Sequence, residues 1–235
     1  RRVLFRFIRE KRIRDMVEEL PDNLTPEEKQ AIAAHNLEIE EALKITKGKP
    51  MTVEQADKQH ANPNYGKKYE YSINCQTCAP AYVLRLMGFN VTAKANTKNS
   101  LSEYLSRQRS FEAWKNTDGS PAVPTLTYDW MIAKGYKQMS KKRYAEYFEE
   151  CCKETGVYIL TIGWKGGGGH ATVLQRFEDG TLKYIEPQVY SERSGAKRSI
   201  DELCESGATK PYPKRGVLRV DNKLFDTKFA SIFDK

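Results

Sequence analysis

The stretch from residue 157 to residue 187 constrains this chain more than any other. Residues 157–164 are strongly β-prone, residues 165–169 form a glycine-rich loop, and residues 170–177 and 181–187 are two further β-prone runs joined by Glu178-Asp179-Gly180. The joining segment suits a three-residue hairpin, a type I turn with glycine at the left-handed position, so Phe177 pairs with Thr181. In that register His170 faces Gln188, and Glu186 faces Thr172 on the same side of the sheet, diagonal to His170. Long side chains reach across such a diagonal. A two-residue turn would send Glu186 to the opposite face.

Helices precede these strands. Thr25-Pro26-Glu27-Glu28 reads as a capping box with proline at the first helical position, opening a helix that runs to about Lys44. Thr52-Val53-Glu54-Gln55 repeats the signal and opens a short helix ended by Asn62-Pro63-Asn64-Tyr65-Gly66. Residues 75–87 form a helix stopped by Gly88, and 89–93 a short strand. Ser100 with Glu103, Thr127 and Ser140 start three more helices, the second ending at Gly135 and the third at Gly156. Ser199 and Glu202 cap a short helix ending at Gly207, and residues 216–220 can add a last strand. Helices followed by an antiparallel meander define an α+β class. The change from helical to mixed structure near Pro50 divides the chain into a basic helical arm, 1–49, and a domain, 50–235.

The 235 residues carry a net charge of +8. Residues 1–15 hold seven basic side chains against Glu10 and Asp15, leaving +5 there and +3 for the rest. Such an arm is either a solvated amphipathic helix or a contact for nucleic acid or another polyanion. Hydrophobic content of 39% and charged content of 30% exclude collagen, mucin-like and wholly disordered chains. No apolar run reaches membrane-span length, and none has the form of a signal peptide, so no membrane partner is expected. Five cysteines, an odd number, point to a reducing compartment with free thiols. Starting at Arg1 rather than Met, the chain reads as a processed product or the C-terminal part of a longer one.

Two cysteines, Cys75 and Cys78, open the helix after Asn74. A cysteine in the first turn faces free N–H groups and the positive end of the helix dipole, which favours its thiolate. With Asn74 as N-cap the nucleophile is Cys75. Pro80 then falls past the first turn, and a later start would favour Cys78. Other readings of the pair are small core residues, a zinc site with Cys151, Cys152 or His170, and a redox motif, although the βαβ context for the last is missing. His35 lies on an exposed-looking helix and His60 in a polar loop. His170 follows Gly166-Gly167-Gly168-Gly169, which leaves its imidazole unobstructed, and Glu186 is placed to orient it.

Asn74-Cys75-Gln76-Thr77-Cys78, then Ala81-Tyr82, Arg85, Gly88 and Val91-Thr92-Ala93, then His170, and finally Tyr184-Ile185-Glu186-Pro187-Gln188 together resemble the papain-fold toxin family, whose named activity is glutamine deamidation. Residues 56–65 are similar to the lead-in of members found at the C-terminus of phage head-morphogenesis proteins. The resemblance covers roughly 50–190. It implies a papain-like fold, with the nucleophile helix packed on an antiparallel meander, and carries the nucleophile onto Cys75, the base onto His170 and the acid onto Glu186. Glu186 departs from the family, which usually has Asp before Pro-Gln. The resemblance implies no cofactor and no metal, a protein substrate, phage capsid or portal proteins as partners, and a cytoplasmic or virion-associated location. The alternatives are a cysteine protease and a non-catalytic module of a phage head protein.

Overall fold

The computed structural model describes residues 2–58, 60–164, 166–189, 199–205, 209–210 and 214–235. Lys165 and Gly207, expected in the glycine loop and at a helix end, lie outside them.

Helix α1 (Arg2–Glu18) lies on α2 (Pro26–Leu43), burying Ile13 and Met16 against Ala33. The capping box at α2 forms as expected: Thr25 Oγ1 accepts the Glu28 N–H at 3.1 Å, and the Glu28 carboxylate accepts the Thr25 N–H at 2.9 Å. Thr52 and Gln55 make the same reciprocal pair before α3 (Val53–Lys58). Helix α4 (Cys75–Leu86) is buried on every side from Gln76 through Arg85, in keeping with its small and apolar composition. It ends at Gly88, whose φ of 103° and close approach to the Gly48 carbonyl oxygen exclude a side chain.

The chain then runs through β1 (Thr92–Ala93), α5 (Leu101–Ser106), β2 (Trp114–Lys115), β3 (Thr125–Leu126), α6 (Thr127–Ala133) and α7 (Lys141–Cys151). It continues with β4 (Gly156–Trp164), β5 (Gly169–Arg176), β6 (Leu182–Ile185), α8 (Ile200–Glu205), β7 (Thr209–Lys210), β8 (Gly216–Arg219), β9 (Leu224–Phe225) and β10 (Phe233–Asp234). The main sheet has the order β3-β8-β4-β5-β6, with β7 also on β4, and every pairing is antiparallel. The protein is therefore α+β.

Strand alternation sends Ile159, Val173, Ile185 and Leu218 to the core around α4, and Tyr158, Leu160, Leu174 and Tyr184 to a second core under α6 and α7. The sheet thus separates two helical layers. Cys75 and Cys78 belong to the α4 side and Cys151 and Cys152 to the other, so the sheet stands between the two pairs that the zinc reading would combine.

The composition changes at Pro50, but the packing does not divide there. Ile39 and Leu43 of α2 sit in the same core as α4 and the sheet. His35 is not on an exposed face: its Nε2 donates to the Phe225 carbonyl oxygen at 2.6 Å. Two strands are shorter than expected. Only Thr92 and Ala93 of residues 89–93 pair, against Asp234 and Phe233 near the chain end. Residues 186–188 leave the β5–β6 ladder because Pro187 has no N–H to give and the Gln188 N–H turns back to Glu186 Oε1 at 3.0 Å.

Candidate active site

Three elements converge on one point. The first is the N-terminus of α4. Thr77 and Cys78 N–H groups both bond the Asn74 carbonyl, at 2.9 and 3.1 Å, which places Cys75 at the first helical position despite Pro80 in the second turn. The N–H groups of Cys75 and Gln76 precede any intrahelical acceptor. Asn74 does not cap the helix with its side chain, as sequence reasoning expected. It is fully buried, and its amide donates to Lys94 O at 3.0 Å and accepts from Asn62 Nδ2 at 3.2 Å, Gln188 Nε2 at 3.3 Å and the Cys78 thiol at 3.3 Å. Asn74 thereby ties the nucleophile helix to the segment after Glu186.

The second element is the start of β5. Helix α4 packs along this strand and brings His170 close enough to Cys75 to favour its charged form, while the thiol itself meets Gln76 Oε1 at 3.6 Å. The Ala171 N–H also bonds the sulfur. The third is the end of β6. The ladder pairs Val173 with Ile185 and Arg176 with Leu182, the register given by the three-residue turn. Pairing stops before Glu186, so His170 and Gln188 are not ladder partners. Glu186 Oε2 nevertheless lies 2.6 Å from His170 Nε2, which leaves Nδ1 as the ring nitrogen for Cys75. The Tyr184 hydroxyl, two residues back on the same face, donates to the same oxygen at 3.0 Å. With the Gln188 N–H on Oε1, both carboxylate oxygens are engaged.

Burial and charge act together here. Burial raises the Cys75 thiol, but the hydrogen bond and positive charge of His170 outweigh it and hold the thiol below its ordinary value of 9.0. Burial pushes the His170 ring toward its neutral form, but the Glu186 carboxylate and the bond to Cys75 reverse this and raise it to about 10. Each member of the pair thus favours the charged form of the other. Cys78 is the opposite case: burial, then the charges of Cys75 and Glu186, push it well above an ordinary thiol, so Cys75 is the more acidic of the two. Trp164 stacks on the His170 ring, with centroids 6.2 Å apart and planes at 23°.

The sulfur opens into a cleft of about 580 Å³ bounded by Ser106, Arg107 and Gln108 on one wall and Gly168, Gly169 and Arg215 on the other. Of the three residues singled out from the sequence, Cys75 and His170 line this cleft, and Glu186 contacts it only through His170. Tyr184, Trp164 and Arg215 were not singled out. Strand alternation places Tyr184 beside Glu186 and was a usable signal, whereas Arg215 precedes the distant strand β8 with no local pattern to mark it. Among the described residues no group of three or more His, Cys, Asp or Glu side chains is arranged to hold a metal ion.

Comparison of the chain with family models, with curated proteins and with solved structures returned no match.

Proposed function

We propose that this protein is a papain-like thiol enzyme that hydrolyses a carboxamide, the substrate being a glutamine side chain of another protein. The observation that carries the reading is the continuous chain of contacts Cys75–His170–Glu186, with the sulfur at a helix start and at the floor of an open cleft. The Cys75 thiolate attacks the amide carbon, forming the S–C bond as the carbonyl electrons move onto oxygen. The N–H groups of Cys75 and Gln76 lie at the positive end of α4, where that oxyanion forms. His170 gives its Nδ1 proton to the amide nitrogen, the C–N bond breaks, and ammonia leaves. His170 then takes a proton from water, hydroxide adds to the thioester carbon, and the carboxylate departs as the thiolate returns. Glu186 and Tyr184 hold the ring through both halves.

The sequence resemblance supports deamidation over peptide cleavage and supports attachment of the domain to a phage head protein. The test is to incubate the protein with glutamine-rich proteins and measure both ammonia and peptide masses. Ammonia release with Gln converted to Glu, abolished by Cys75→Ala, is the expected result. New peptide termini in its place would make the enzyme a protease, and neither product with any substrate would favour a non-catalytic module.

A further inference from the structure

The geometry points to a carboxylate-binding subsite at Arg215, so that the substrate carries an acidic group close to the carboxamide it presents; this rests on the catalytic reading of the Cys75 cleft. Arg215 lines that cleft together with Cys75, Gly169 and His170. Its guanidinium lies against the Gly169 backbone, beside His170, where any side chain on residue 169 would collide with Arg215 Nη2 and the Ile162 carbonyl oxygen. The glycine before the histidine therefore makes room for an arginine, beyond any need of the loop to turn.

The other charges around the cleft are already engaged. Arg107 is paired with Glu103 at 2.9 Å. The Glu186 carboxylate is taken up by His170, Tyr184 and the Gln188 N–H. Among the described residues the Arg215 guanidinium has no ion pair and no hydrogen bond. Burial works against its charge, and the charge of Cys75 favours it. A half-buried guanidinium without a carboxylate is costly until a ligand supplies one, and its planar fork fits a carboxylate with two parallel bonds. Such a carboxylate has two sources with the same chemistry: an acidic side chain beside the target glutamine, or a chain end one residue away.

Alkylation of Cys75 with charge-matched reagents tests this without requiring turnover. In each reaction the thiolate forms an S–C bond, the C–I bond breaks and iodide leaves with the electron pair. N-iodoacetylglycine against N-iodoacetylglycinamide reports a chain-end carboxylate. N-iodoacetylglutamate α-amide against N-iodoacetylglutamine amide reports an acidic side chain. Relative to glutathione, the acid of at least one pair should label Cys75 faster than its neutral mate by about tenfold. Arg215→Gln should remove that preference, read as the ratio of acid to neutral rates so that any change in the thiolate itself cancels. Arg215→Lys, which keeps the charge but loses the fork, should lower the preference and provides the measurement if Arg215→Gln does not fold. Equal preference in native protein and both variants overturns the subsite. So does an equal slowing of both members of a pair, which would make Arg215 a support for the thiolate. Slow labelling of Cys75 by the neutral reagents is a separate failure, that of the catalytic reading itself.

Discussion

His170 Nε2 and Glu186 Oε2 stand 2.6 Å apart, although Glu186 lies one residue beyond the last ladder pair of β6. The carboxylate reaches the ring from a residue whose backbone has already left the sheet. The same position lets Tyr184 and the Gln188 N–H lock the carboxylate from both ends.

Because both Glu186 oxygens accept hydrogen bonds, an amide at this position must set an NH₂ against another donor. Glu186→Gln should therefore lower ammonia release or Cys75 labelling by about a hundredfold or more, and should destabilise the fold by roughly 1–3 kcal/mol. Denaturant unfolding beside the rate measurement separates the two effects. Unchanged rates would remove Glu186 from the mechanism.

Iodoacetamide should label Cys75 at least about tenfold faster than Cys78, Cys151 or Cys152 near neutral pH. Burial raises all three of the others, Cys151 to about 12, whereas the His170 contact lowers Cys75. The labelling midpoint of Cys75 should lie below the ordinary thiol value. In His170→Ala it should move above that value, since burial then acts unopposed. Peptide mapping across a pH series gives both numbers.

The two members of the pair have opposite linkage. The raised His170 contributes stability that is fully present below its unfolded value of 6.5 and is lost as pH rises through about 10. The lowered Cys75 contributes stability present above its unfolded value of 9.0 and lost as pH falls through its folded value. Between them the slopes offset. In Cys75→Ser only the histidine remains, so stability should decline as pH rises above 6.5, by at most about 1.4 kcal/mol per pH unit. Cys75→Ser combined with Glu186→Gln should flatten that decline. Chemical denaturation at several pH values checks both variants.

Truncation should divide the N-terminal region at a different place from its composition. Removing residues 1–15 uncovers the Ala33 face of α2 but leaves the α4 core intact, so the remainder should fold. It should also lose a salt-sensitive affinity for polyanions that we assign to exposed Arg9, Lys11 and Arg14. Removing residues 1–49 takes Ile39 and Leu43 from the core and should abolish folding. Circular dichroism and heparin retention at rising salt distinguish these outcomes. Equal retention before and after the shorter truncation would reduce α1 to a packing element.

Local chemistry accounts for what the sequence disclosed. The two capping boxes, the Gly88 stop and the turn at Gly180 are decided within a few residues, and the hairpin register followed from the turn. The pairings of β2 with β9, β3 with β8 and β1 with β10 join segments about ninety or more residues apart, each with only two pairs in register, too short to show a period. Asn74 misled for a related reason. Its residue type suits an N-cap, but buried partners from residues 62, 94 and 188 took its side chain. The second core under α6 and α7 was half-visible in Tyr144, Tyr147 and Phe148, whose helical spacing does place them against the sheet.

Ten successive buried residues fix α4, and the sulfur sits on its first residue. A helix enclosed in this way opens only with the core around it, so its amides should exchange with solvent among the slowest in the molecule. In the proposed mechanism Cys75 is then the stationary partner. On the proposed reading, substrate admission and ammonia escape fall to the exposed cleft residues Arg107, Gln108 and Gly168. Under that mechanism, substitutions in those short loops would tune the rate of exchange and change tempo without touching the chemistry.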